Sequence, residues 1–208
     1  MIRQAKHTDL HQIADVHVRC FPKSFSTVLG KTHKCYLLKR FYKEYLDCVP
    51  ELFLVAVDEK DNVVGYSMGY YCELNNYQNK FLKHNFLRIV VRMIFLLLSC
   101  NATAWKKALS FFSKKAEVEI RDEPYVQISN TLKGDLLSIC LIPEKRGTGL
   151  SIELIEAFEA TLKVSGRKYV QLTVEPDNQR AVRFYNKMEY KLYKIVSDKA
   201  HAMYKTLQ

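Results

Sequence analysis

Ser138-Ile139-Cys140-Leu141-Ile142-Pro143-Glu144-Lys145-Arg146-Gly147-Thr148-Gly149-Leu150-Ser151-Ile152-Glu153-Leu154-Ile155-Glu156 reads as a buried strand, a tight basic turn and an amphipathic helix. Gly147 and Gly149 permit backbone conformations that a side chain disfavours. The helix behind them opens with N–H groups that have no intrahelical acceptor. A turn of this kind is built to hold an anion. Two common phosphate loops do not fit. There is no Gly-x-x-x-x-Gly-Lys-Ser/Thr, and Gly147-Thr148-Gly149 lacks the third glycine of the dinucleotide fingerprint.

The strand side of this unit extends back to Asp135, through Leu136-Leu137-Ser138-Ile139-Cys140-Leu141, a run expected at the centre of a sheet. On the helix side, Leu150, Leu154, Ile155, Phe158 and Leu162 share one face, with Glu153, Glu156 and Glu159 expected largely opposite, and Gly166 ends the helix. Lys168 to Glu175 then alternates, Val170, Leu172 and Val174 against Tyr169, Gln171 and Thr173. Glu175-Pro176-Asp177-Asn178 turns the chain into a helix over Gln179 to Met188, capped by Asp177 or Asn178. Two strands, Lys191 to Val196 and His201 to Leu207, form the last hairpin.

Toward the amino terminus, Ile2 to Lys6 reads as a short strand. Asp9 is placed to cap a helix carrying Leu10, Ile13, Ala14, Val16 and Val18, which closes at Phe21-Pro22. A second helix, with Cys35, Leu37, Leu38, Phe41, Tyr42 and Tyr45, ends before Pro50. Leu52 to Val57 and Val63 to Tyr71 are strands joined by the turn Asp58-Glu59-Lys60-Asp61-Asn62. Tyr125 to Ser129 is expected to be one more strand, with a strand start or loop at Glu117 to Arg121.

A second block joins the first. Asn178-Gln179-Arg180-Ala181-Val182-Arg183-Phe184-Tyr185-Asn186-Lys187-Met188-Glu189-Tyr190 resembles the Asn-x-x-Ala-x-x-Phe-Tyr-x-x-x-Gly-Phe signature of the GNAT superfamily of acyl-CoA N-acyltransferases. Arg146-Gly147-Thr148-Gly149-Leu150-Ser151 resembles that family's pyrophosphate loop, Arg/Gln-x-x-Gly-x-Gly/Ala. The resemblance covers roughly residues 2–71 and 117–207. It implies an α/β fold of the mixed-sheet α+β kind: a splayed central sheet flanked by helices, in one domain over residues 1–208. It also implies acetyl-CoA as acyl donor, with no metal, lying between the strands at 136–141 and 168–175.

Carried over by position, backbone groups of Arg146, Gly147, Thr148, Gly149, Leu150 and Ser151 would hold the pyrophosphate. Ile139, Cys140 and Leu141 would pair with the pantetheine arm, and Asn178 would bind the same arm. Tyr185 matches the family's tyrosine beside the CoA sulfur; a phenol with a pKa near about 10 can protonate a departing thiolate. Asp135 stands where relatives place an acidic base, and Glu175 at the end of the neighbouring strand is a second carboxylate. The region of the second helix borders the acceptor pocket in the relatives. Ser151, Glu189 and Tyr190 depart from the family pattern, and Glu189 must either avoid the left-handed conformation of the usual glycine or accept its strain.

The segment outside the resemblance, about 78–116, carries most of the charge. The chain has a formal net charge of +10. Lys80, Lys83, Arg88, Arg92, Lys106, Lys107, Lys114 and Lys115 fall between Leu74 and Ala116, where no acidic residue occurs, so the remainder carries only +2. Phe81 to Cys100 is strongly apolar, but Arg88 and Arg92 interrupt it, which disfavours a transmembrane helix. Lys80, His84, Arg88 and Arg92 recur every fourth position as a basic stripe, and Ala104 to Lys115 sets Trp105, Leu109, Phe111 and Phe112 against two Lys-Lys pairs. This is the composition of an interfacial helical hairpin.

Several roles stay open for it. It packs on the domain, closes the acceptor site, makes a homodimer, or meets an anionic membrane or a lipid-linked substrate. Nucleic acid is not favoured, since no base-reading motif is visible and the aromatics alternate with aliphatics as packing residues do.

The six cysteines, Cys20, Cys35, Cys48, Cys72, Cys100 and Cys140, show no Cys-x-x-Cys pair or matching histidine spacing. A reduced cytoplasmic compartment is therefore expected, at the inner face of a membrane if the hairpin touches one. Met1 to His7 has no apolar run of a secretory signal behind it. The functional expectation is direct acetyl transfer to an amine or hydroxyl of a small molecule or sugar, with cell-envelope polysaccharide synthesis as the setting. The alternative is a CoA-binding or membrane-interaction module that keeps the fold without the catalysis.

Overall fold

In this computed structural model the described residues are 1–30, 36–74, 77–110 and 118–207, with the backbone alone for 77–80, 107 and 110. Eight strands form one sheet in the order β1-β2-β3-β5-β6-β8-β7-β4. They are β1 (Ile2–Gln4), β2 (Phe53–Val57), β3 (Val63–Tyr71), β4 (Glu119–Ile120), β5 (Lys133–Leu141), β6 (Tyr169–Val174), β7 (Lys191–Ser197) and β8 (Ala200–Thr206). Every adjacent pair is antiparallel except β5 with β6. That parallel pair needs a crossover helix, and α7 (Leu150–Val164) supplies it.

The alternation of β3 and β5 divides the helices between the two faces of the sheet. Tyr66 and Met68 point toward α1 (Leu10–Cys20) and α3 (Tyr36–Cys48), while α7 lies across β2, β3 and β5 on the other side. Ile13 and Ala14 of α1, and Leu154, Ile155, Phe158 and Leu162 of α7, are fully buried. All five residues of β2 are buried, as a strand covered on both faces requires.

The expected two-block core is present, with local corrections. Residues 125–129 are not a strand. Asp122 accepts the Tyr125 N–H at 3.1 Å and Pro124 occupies the first turn, so α6 (Glu123–Gln127) forms there. The apolar look of Tyr125 and Val126 reflects the burial of Tyr125 on one side of this short helix. Asp9 stands at the N-cap of α1 but makes no side-chain cap hydrogen bond there. It takes the Lys6 N–H at 2.8 Å and both ends of the Arg3 guanidinium, at 2.7 and 3.0 Å, tying β1 to the helix start. Glu159 does not face outward with Glu153 and Glu156; it is buried, accepting from Tyr190 Oη at 3.0 Å and from Lys205 Nζ at 2.7 Å. Asn178, not Asp177, caps α8 (Gln179–Lys187), its Oδ1 accepting the Ala181 N–H at 3.2 Å.

Two elements refine the expectation. A short helix, α2 (Phe25–Gly30), occupies part of what reads as a polar connection, and of the strand start or loop expected at Glu117 to Arg121, the strand is found, Glu119–Ile120 pairing with β7. The basic segment folds as α4 (Tyr77–Leu98) and α5 (Ala102–Ser110), packed on α2 and α3. Cys35, Phe111, Phe112, Lys114, Lys115 and Glu117 lie outside the described residues. Among the described residues no helix is long and apolar enough to cross a membrane.

Candidate active site

The ladder between β5 and β6 covers only Lys133 to Leu136 against Tyr169 to Leu172. Just beyond it, the register between β3 and β5 slips: Met68 faces Ser138 while Gly69 faces Leu136, so Leu137 is the extra residue of a bulge. The two parallel strands part there. From Leu137 to Leu141, β5 keeps its β3 partner and turns its other edge to a cleft of about 490 Å³. An extended chain carrying amides can add to such an edge by strand-like hydrogen bonding.

At the far end of that edge lies the glycine turn. Gly147 and Gly149 have φ of 81° and 88°, in the left-handed region, and Gly149 is the N-cap of α7 without a capping side chain. The turn therefore keeps its backbone donors and the positive end of a 15-residue helix directed at the cleft. Arg146 is anchored through Nε to the Leu141 carbonyl at 3.3 Å.

The expected residues gather here. Ile139, Cys140, Leu141, Arg146, Gly147, Ser151, Asn178 and Tyr185 line the cleft, and Glu175 stands at its rim. Thr148 turns its hydroxyl to the Lys145 carbonyl at 2.8 Å, and Leu150 packs against the core, so both belong to the turn through their backbone. Ala181, Phe184 and Tyr185 reach the cleft from one face of α8, the i, i+3, i+4 positions of a helix whose start Asn178 fixes. Burial, with the nearby Cys140, pushes the Tyr185 phenol up to about 12. It is fully protonated at neutral pH and able to donate. Glu189 accepts the left-handed conformation, at φ 67°, and the Tyr190 N–H closes the helix on the Tyr185 carbonyl at 3.0 Å.

Asp135 occupies a different place. It precedes the splay, beside Tyr70 and Gln171, whose Nε2 donates to it at 2.9 Å; Gln171 in turn accepts from Tyr125 and Tyr193 at 3.0 and 3.3 Å. Burial raises the Asp135 carboxyl to about 6, against the lowering effect of the Gln171 and Tyr70 hydrogen bonds.

A hydrogen-bonded string centred on the buried His17 escapes the motifs altogether. His17 Nδ1 meets the Tyr42 and Tyr66 hydroxyls at 2.7 and 3.0 Å, its Nε2 meets Ser26 Oγ at 3.0 Å, and Tyr66 Oη reaches Ser138 Oγ at 3.3 Å. Burial lowers His17 to about 4, so it is neutral. Its only sequence signal is a histidine between Val16 and Val18 on an apolar helix face. Ser138 belongs both to the cleft and to a second, apolar pocket behind it.

Cys20 is the other unforeseen member of the cleft wall. Its thiol donates to the Leu141 carbonyl at 3.1 Å. The adjacent Cys140 thiol lowers Cys20 to about 7 against the effect of burial, with Arg146 assisting. Cys20, Cys48, Cys72, Cys100 and Cys140 are free thiols, and no three metal-ligating side chains converge among the described residues.

Comparison with known proteins agrees with this geometry. The family model described as FR47-like protein matches residues 125–200, which holds the glycine turn, β6 and α8. N-alpha-acetyltransferase 30 of Schizosaccharomyces pombe (strain 972 / ATCC 24843) is 30% identical over 69 residues, 33% of this chain; the match spans 46% of the relative's own length. Among solved structures, SsHAT superposes with a TM-score of 0.67 at 18% identity, covering 100% of this chain and 98% of that one. The NatB acetyltransferase complex bound to CoA and MES gives 0.54 at 15% identity, covering 100% and 99%.

The bulged, splayed sheet with a glycine turn before its crossover helix is the fold shared with these solved structures. In its two motifs and in its fold the chain resembles the GNAT superfamily.

Proposed function

We propose that the chain is an acetyl-CoA-dependent acetyltransferase that moves an acetyl group directly onto an amine, or a hydroxyl, of a small-molecule or sugar acceptor. The observation that carries this reading is the continuity of one cleft: left-handed glycine turn, unpaired β5 edge, then the Tyr185 hydroxyl. In this reading the turn from Arg146 to Ser151 holds the diphosphate, residues 139–141 pair with the pantetheine amides, and Asn178 offers its free amide nitrogen to the same arm. As the acceptor nitrogen bonds to the thioester carbon and the carbon–sulfur bond breaks, Tyr185 gives its proton to the sulfur. The proton lost by the acceptor goes to a carboxylate, and Asp135, ionised above about pH 6, is the assigned base; since it lines neither cavity, it takes that proton through intervening water or hydroxyl groups.

Mixing the protein with acetyl-CoA and a panel of amines, and following free thiol, tests the assignment. Thiol release that requires an amine, and falls about 10²-fold in Tyr185→Phe with CoA affinity retained, is the expected outcome. Full activity in that variant removes Tyr185 as the acid. A purely CoA-binding module, the competing class, predicts binding without amine-dependent thiol release. The name of the Schizosaccharomyces pombe relative adds a protein α-amino group to the acceptors to assay.

The α4–α5 hairpin is assigned to an anionic membrane surface at the cytoplasmic side, in keeping with an acceptor of cell-envelope synthesis. Its stripe turns partly toward the domain, where His84 reaches Glu44 at 3.2 Å and Arg92 Nη2 the Val28 carbonyl at 3.4 Å. Leu87, Val91, Ile94 and Leu98 are left exposed, with Lys83, Arg88 and Lys106 around them. An isologous dimer through this face would set basic residues against basic residues with no acid in the segment, whereas anionic lipid complements them.

A further inference from the structure

Behind the cleft, α2, α3, the start of α4 and the inner face of β3 and β5 enclose a pocket of about 650 Å³. Its walls are apolar: Leu29, Leu37, Leu38, Phe41, Phe81 and Leu82 all face it. The polar groups form one connected string, Ser24 to Ser26 at 3.0 Å, Ser26 to His17 at 3.0 Å, and His17 through Tyr66 to Ser138. That string ends at Ser138, which the pocket shares with the cleft together with Phe21 and Leu137, where the acyl group would lie.

We infer that this pocket receives the hydrophobic body of the acceptor, which is therefore an amine or hydroxyl compound bearing an alkyl or aryl group. The inference rests on the acetyl-transfer reading and narrows it: a sugar qualifies only when it carries such a group. A bare sugar placed here would lose water from its hydroxyls against leucine and phenylalanine walls without new partners. An alkyl amine matches both parts, its nitrogen beside Ser138 and its chain among the leucines. A longer acyl chain on the donor fits the walls but has no group for the Ser26–His17–Ser138 string, so the acceptor is the better occupant.

The test follows thiol release from acetyl-CoA with a homologous series from methylamine to octylamine, with glucosamine for comparison. The expected kcat/KM rises roughly threefold per added methylene over the first members and exceeds that of glucosamine. Leu82→Ser, at a half-exposed position that tolerates polarity, and Leu29→Asn should each cut the octylamine-to-ethylamine ratio about tenfold, with CoA affinity by calorimetry unchanged. A flat series, a preference for glucosamine, or octanoyl-CoA outpacing acetyl-CoA with a short amine overturns the inference; the last assigns the pocket to the donor. Transfer to glucosamine with none to the alkyl amines overturns the acceptor assignment alone, whereas CoA binding without transfer to any acceptor favours the CoA-binding module over the transferase. Absence of CoA binding overturns the transferase reading beneath it.

Discussion

Asp135 and His17 are two buried groups that can exchange a proton, and their environments separate them. Asp135 has a folded pKa of about 6, above the ordinary carboxylate value, because burial disfavours its charge. A raised carboxyl stabilises the fold fully below its unfolded pKa, and that contribution is lost as pH rises through about 6. Asp135→Asn is therefore expected to be more stable than the native chain at pH 7, by about 1–3 kcal/mol in urea denaturation. If Asp135 is the base, kcat/KM of the native protein rises with pH through about 6, and the variant loses that limb. A rise centred near 4 and abolished by His17→Gln would instead place the proton on His17. Sequence marked Asp135 and Tyr185 only through the family pattern. His17, Tyr42, Tyr66 and Ser26 carried no such mark, because their partnership spans 49 residues of chain and exists only once α1, α3 and β3 pack.

The elements were legible where period and punctuation agreed. β5, α7, β6 and α8 follow from a continuous apolar run, a 3.6-residue stripe, strict alternation and a capped helix start. Residues 125–129 misled because five apolar and polar residues fit a strand as well as one helical turn, and the Asp122 cap decides between them only in three dimensions. Glu159 misled for a different reason. Its helix position lies at the edge of the apolar stripe, and its burial depends on Tyr190 and Lys205, distant in sequence. At the end of α8, Glu189 holds a left-handed conformation usually given to glycine. Replacing it with glycine relieves that strain at some cost in unfolded-state entropy. Glu189→Gly should stabilise the protein by about 0.5–1 kcal/mol, seen as a melting temperature about 1–4 °C higher. A lower melting temperature would mean that the Glu189 side chain contributes more than its backbone costs.

Across the whole molecule, a sheet that splays in its middle forms two separate but touching cavities, joined at the Leu137 bulge and Ser138, which the proposal gives to donor and acceptor. The fold class was visible because both motifs fall on consecutive elements. The pocket was not, since its walls come from α2, α3 and α4, which no single pattern links. The hairpin adds an outward apolar and basic face at one edge of that pocket, where Phe81 and Leu82 belong to both. Sedimentation with vesicles containing anionic lipid should retain the native protein at low salt. Lys83→Glu combined with Leu87→Ser should release it, and equal binding to neutral vesicles would contradict the electrostatic part of the assignment. The reading of the cleft itself stands or falls on CoA. Isothermal titration with CoA is expected to give one site per chain, with affinity reduced at least tenfold by Gly149→Val, which forces a branched side chain into a left-handed turn. No heat of binding to the native protein, or an affinity indifferent to that substitution, would contradict the placement of a CoA diphosphate at Arg146 to Ser151.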